Sequence, residues 1–259
     1  KGQAKRHPGG GRQEACQSHC REIQGPIEIM QQSIFDLRIE DYEPTQPTAH
    51  LKKVGYDNAG NQYAVKRVED GNWIPLTEWV GYSLCRILGI ATPDFTIGHD
   101  ENNQPVFCSK WENGKVFTRD EDQMDALAEI KPRLQAIANI IALDEFIENP
   151  DRHAGNLIFR DNTPNLLAFD FALSQFTKSA CNAKIDQSKT DQTQALKTLI
   201  AWLSRSSRMR IDATEITNKI KKIQTSDLNK ILTSAPFYWM QQAGLDCIIA
   251  YLSDKQKRL

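Results

Sequence analysis

Between residues 50 and 175 the apolar positions change period several times, and each change predicts an element. AHLKKVGY and NQYAVKRVE flank the turn-rich set Asp57-Asn58-Ala59-Gly60 and predict a β-hairpin. Alternation in the second run puts Lys66 on one face with Ala64 and Val68. A helix is predicted from Pro75 to Leu88, with proline suited to its first turn and Gly89 to its stop. Glu78, Gly81, Cys85 and Leu88 recur at helical spacing, so Glu78 lies beside the buried stripe. DFTIGH and QPVFCSKW read as two further strands. The order strand, strand, helix, strand, strand describes a small sheet carrying one helix.

The second half is mainly helical. RLQAIANIIALDEFIE is apolar nearly all round, which predicts a deeply buried helix ended by Asn149-Pro150. A polar loop, DRHAGN, follows. LIFR and LLAFDF, on either side of Asp161-Asn162-Thr163-Pro164, predict a second hairpin. Helical periodicity resumes near Gln192–Leu203, Ala213–Ile223, Asp227–Leu232 and Leu245–Leu252.

Composition narrows the function classes. The formal net charge is −1, so no bulk attraction to nucleic acid or anionic membrane is expected. No apolar run is long enough to span a bilayer, and no apolar segment follows the basic N-terminus as in a secretory signal. Six scattered cysteines read as reduced thiols, and the expected location is the cytoplasm. Residues 1–32 are polar and glycine-rich, and read as a flexible tail. Cys16, His19 and Cys20 within it lack a second half-site for zinc. Trp73, Trp79 and Trp111 read as packing residues.

ENPDRHAGNLIFRDNTPNLLAFDF is the stretch that carries chemistry. It sets Asp151, Arg152, His153 and Asn156 in one loop after a buried helix, and Asp170 at the end of an apolar run. A carboxylate there needs a partner. Phosphoryl transfer requires such a set: hard oxygen ligands for Mg²⁺, and a second carboxylate to orient the attacking hydroxyl and accept its proton. The bland reading of Asp151 is a turn cap after Pro150, and that of Arg152 is pairing with a nearby carboxylate.

The order Lys66, Glu78, Asp151-x4-Asn156, Asp170 resembles the protein-kinase-like fold. NPDRHAGNL is most similar to HipA-like kinases, distant kin of phosphatidylinositol 3/4-kinases. The resemblance implies an α+β, bilobal fold, with a small β-rich N-lobe over 33–110 and a mainly helical C-lobe over 111–259. It implies ATP and Mg²⁺ as cofactors. Lys66 would contact the α/β-phosphates and Glu78 would pair with it. Asp151 would be the base or orient the acceptor hydroxyl, and Asn156 and Asp170 would hold Mg²⁺. His153 would support the loop or contact phosphate. Ser109, Lys110 and Trp111 fall at the hinge, where backbone groups meet adenine. The implied activity is that of a serine/threonine protein kinase; a small-molecule or lipid kinase and a non-catalytic nucleotide-binding scaffold are the alternatives. The acceptor partner is an unknown protein or small molecule. Two departures stand out. No G-x-G-x-x-G precedes Lys66, and Asp170-Phe171-Ala172 lacks the glycine of the eukaryotic protein-kinase motif.

Overall fold

The structure is a computed structural model that describes residues 37–44, 53–71, 73–117, 123–160, 165–183, 191–240 and 244–259. The expected tail at 1–32, with Cys16, His19 and Cys20, lies outside these residues, as do the first residues of the first hairpin and the turn at 161–164.

The described strands are β1 (Leu37–Arg38), β2 (Asp41–Pro44), β3 (Lys53–Tyr56), β4 (Gln62–Lys66), β5 (Phe95–His99), β6 (Pro105–Lys110), β7 (Leu157–Phe159) and β8 (Leu166–Ala168). The described α-helices are α1 (Ile74–Leu88), α2 (Gln123–Ile130), α3 (Leu134–Ile147), α4 (Phe176–Ala180), α5 (Gln192–Ser207), α6 (Thr214–Lys222), α7 (Thr225–Thr233) and α8 (Leu245–Arg258). The expected α+β order holds. Among the described residues the sheet has six strands where the periodicity showed four, in the order β1-β5-β6-β4-β3-β2. Its added edge strands are short, and β1 pairs in parallel with the distant β5, which no local pattern encodes.

Register explains where Lys66 points. It lies opposite Phe107, and Val65 opposite Cys108. Val65, Cys108, Val106 and Ile39 form a small apolar cluster on one face of the sheet. Phe107 faces the other way, into the main core with α1, and cross-strand neighbours share a face. Lys66 therefore points toward α1. Val68 does not continue the strand as expected: Arg67 N–H donates to Asp70 Oδ2 at 3.0 Å, and Val68–Asp70 form a 3₁₀ turn.

Helix α1 ends as the sequence indicates. Gly89 adopts φ +74°, and Ile90 N–H returns to Cys85 C=O at 2.9 Å. Inside the helix, Gly81 meets Phe171: a Cβ there would lie 2.4 Å from the ring. That close approach seats α1 directly on the chain following Asp170. Helix α3 buries residues on every side, Leu134, Ile137, Ile141, Leu143, Phe146 and Ile147 among them. It delivers the polar loop to the middle of the core. Trp79 Nε1 donates to Ile231 C=O at 2.9 Å, tying α1 to α7. Cys85 and Cys108 are buried free thiols, and burial pushes Cys108 up to about 12. No described helix is long and apolar enough to cross a membrane.

Candidate active site

Lys66, Glu78 and Asp170 meet. Lys66 Nζ lies 3.4 Å from Asp170 Oδ1 and 3.6 Å from Glu78 Oε1. The other Glu78 oxygen accepts from Phe171 N–H at 2.9 Å. One lysine from the sheet, one carboxylate from α1 and one from the end of the second hairpin thus meet, the first two buried and Asp170 partly open to solvent. Glu78 is 1% exposed and Lys66 5%. Burial opposes the Lys66 charge, but Asp170 and then Glu78 hold its pKa above the ordinary lysine value. Burial pushes Glu78 up to about 8; Lys66 opposes this and the Asp170 charge adds to it. One cation beside two carboxylates leaves negative charge in excess, which suits a further cation.

Asp170 has φ +60°, a conformation disfavoured for a residue with a Cβ and tolerated best by Asp and Asn. Such backbone strain gathers at functional sites. The β7-β8 hairpin brings the loop to it: Leu157 pairs with Ala168, and Phe169 N–H donates to Asn156 C=O at 3.3 Å. Asn156 therefore sits across from Phe169, one residue from Asp170. Its Nδ2 donates to Asp151 C=O at 2.8 Å, which leaves Oδ1 as a hard oxygen ligand. An amide oxygen and a carboxylate at one end of a hairpin fit Mg²⁺, which takes few protein ligands and fills its octahedron with phosphate and water. Among the described residues no group of three or more His, Cys, Asp or Glu could hold a metal.

Arg152 does not face the site. It is fully buried and pairs with Asp144, Nε to Oδ2 at 2.8 Å and Nη2 to Oδ1 at 3.1 Å. Its Nη1 donates to the carbonyls of Asn156 and Phe169, and its guanidinium lies 4.7 Å from the Phe171 ring centre. Burial opposes its charge, but Asp144 keeps its pKa above the usual arginine value. Arg152 is the bolt that joins α3, the loop and the second hairpin. Asn149 extends this network, donating to Asp144 Oδ1 at 2.8 Å and accepting from Asp151 N–H at 3.2 Å. His153 Nδ1 accepts from Gly155 N–H at 3.0 Å, a contact within the loop.

The hinge residues separate. Ser109 is buried, but Trp111 is 45% exposed and is not the packing residue expected. Lys110 N–H donates to Asp94 C=O at 2.7 Å, and Trp111 N–H to Gln62 C=O at 2.8 Å. Both donors are engaged inside the sheet. Beyond them Glu112 is held by Arg160 at 2.7 Å.

Sequence reasoning missed Asp144, Glu148 and Thr193. Asp144 and Glu148 fall within the run read only as a buried helix, and Thr193 within one read only as helical. Glu148 stands at the end of α3 with φ +58° and accepts from Tyr251 Oη (2.5 Å), Ser179 Oγ (2.6 Å) and Lys255 Nζ (2.8 Å). Burial would raise its carboxyl, but Lys255, Ser179 and Tyr251 hold it below the ordinary 4.5. A depressed carboxylate adds stability above its unfolded pKa and loses it as pH falls through the folded value. Urea midpoints from about pH 7 down to about pH 3 should therefore fall less steeply in Glu148→Gln than in the unaltered protein. Parallel curves would refute this.

A model of the family described as HipA-like kinase matches residues 55–252. Among solved structures, the chain is similar to a Helicobacter pylori proinflammatory kinase, CtkA, with 14% identity and a TM-score of 0.53, over 86% of this chain and 95% of that one. It is also similar to HipA of Shewanella oneidensis MR-1, solved with HipB and its operator DNA, with 9% identity, a TM-score of 0.49 and coverage of 95% and 70%. A third is a putative aminoglycoside phosphotransferase from Ralstonia eutropha JMP134, with 12% identity, a TM-score of 0.38 and coverage of 84% and 92%. No curated protein matches. The likeness to CtkA carries the fold: bilobal and protein-kinase-like, with a β-rich N-lobe and a mainly helical C-lobe.

Proposed function

The chain belongs to the HipA-like kinase family, and from that membership we propose an ATP- and Mg²⁺-dependent phosphotransferase that acts on serine or threonine hydroxyls of a protein. The observation that carries the reading is the meeting of Lys66, Glu78 and Asp170 across 104 residues of chain. A buried lysine flanked by two carboxylates is costly to a fold and useful to one that binds a nucleotide.

The roles follow from the chemistry. Lys66 would hold the α/β-phosphates, and Glu78 would steady it. Asn156 and Asp170 would hold Mg²⁺, which would supply charge neutralisation to the phosphates. Asp151 orients the acceptor hydroxyl and takes its proton. Arg152 and His153 shape the loop that presents Asp151. The lobe boundary falls near 110/111. The adenine edge would lie along the chain from Trp111 to Gly114, because the N–H groups of Lys110 and Trp111 serve the sheet.

The test is transfer from γ-labelled ATP, with protein, lipid and metabolite acceptors offered side by side. Label should appear on protein hydroxyls and require Mg²⁺. Asp151→Ala should lower the rate by about 10²-fold or more while Mg²⁺-ATP affinity changes by less than about threefold. Label confined to an extractable metabolite or lipid overturns the acceptor class. Folded protein that binds Mg²⁺-ATP and never turns it over overturns the activity.

A further inference from the structure

Thr193 lies in the first turn of α5, yet its hydroxyl and N–H serve the loop. Its Oγ1 accepts from Arg152 N–H at 2.9 Å and donates to Asn149 C=O at 2.6 Å. Its own N–H donates to Pro150 C=O at 3.2 Å. Three hydrogen bonds thus grip residues 149, 150 and 152, on both sides of Asp151. The helix does not need this hydroxyl as a cap, because Asp191 Oδ1 already accepts from Gln194 N–H at 3.0 Å. Thr193 is 2% exposed, so water does not compete for these bonds.

Only a small hydroxyl side chain can accept and donate at once here. A valine of the same shape would fill the space and leave Arg152 N–H and Asn149 C=O without their partner. Arg152 would remain anchored through its guanidinium to Asp144. The backbone freed to move is therefore the short span that carries Asp151.

We propose that Thr193 is a positioning residue for Asp151, fixing the loop backbone so that this carboxylate faces the acceptor hydroxyl. The proposal rests on the role given to Asp151 above. Its test compares Thr193→Val, Thr193→Ala and Thr193→Ser by transfer rate per titrated nucleotide site, KM for ATP, and hydrogen exchange of the Arg152 amide. In Thr193→Val the rate per site should fall about 10- to 100-fold, with KM for ATP within about twofold and Arg152 protection lost. Thr193→Ser should restore both, and Thr193→Ala, the reserve should valine not fold, should behave as valine does. A valine or alanine variant with the unaltered rate per site overturns the proposal, as does a serine variant that falls as far, or unchanged Arg152 exchange. If the unaltered protein binds Mg²⁺-ATP but transfers nothing, the phosphotransferase reading has failed. Arg152 exchange in the same variants then decides the grip by itself: lost in valine and kept in serine upholds it, unchanged refutes it.

Discussion

Replacing Asp170 with asparagine should lower phosphate transfer by about 10³-fold while leaving the protein folded. Two losses combine. The proposed metal site keeps a neutral amide where it had a carboxylate, and Mg²⁺ favours charged hard oxygens. Lys66 loses the nearer of its two counter-charges, at 3.4 Å, and turns to Glu78 at 3.6 Å. Asparagine is the informative substitution because it tolerates φ +60°, whereas alanine there adds roughly 1–2 kcal/mol of backbone strain and mixes stability with chemistry. Initial rates across a Mg²⁺ series, together with a denaturation curve, separate the two. A variant within tenfold of the unaltered rate at saturating Mg²⁺ would remove Asp170 from the metal site.

The loop and the second hairpin were legible in the sequence because their determinants are local. Pro150 must end α3, a polar loop must leave a buried helix, and a carboxylate must close an apolar strand. The stop at Gly89 was legible for the same reason. What escaped was set by distant partners. Residues 37–38 form a strand only because the edge of β5 lies beside them. Val68 alternates like a strand residue, but Asp70 captures the Arg67 N–H first. Trp111 looks like a packing residue until the sheet edge is seen to leave it open to solvent. Asp144 and Thr193 carry no signal, since their role is conferred by the position of Arg152. The meeting of Lys66 with Glu78 and the pairing of Arg152 with a carboxylate could be read; that Asp144 is this carboxylate and that Thr193 grips the loop could not.

Arg152→Met should destabilise the protein by about 3–5 kcal/mol, because it strands the carboxylate of Asp144 in a water-free interior. Asp144 and Arg152 are both fully buried, so neither can turn to solvent when its partner is lost. A domain of this kind has about 5–15 kcal/mol in total, so the variant stands near unfolding, which urea midpoints will report. Arg152→Lys should recover little, since an ammonium cannot make the forked contact with Asp144 and also reach the carbonyls of Asn156 and Phe169. The double change Asp144→Leu with Arg152→Met should regain part of the loss, because an apolar pair of similar bulk no longer buries a lone charge. It should not regain transfer. The guanidinium also joins the backbone on which Asn156 stands to that preceding Asp170, and an apolar pair removes this donor from both carbonyls, leaving Asn156 C=O with Phe169 N–H alone. Recovery of stability without recovery of rate would separate the bolt's two functions. Full recovery of both would mean that the loop and the hairpin keep their registry without it.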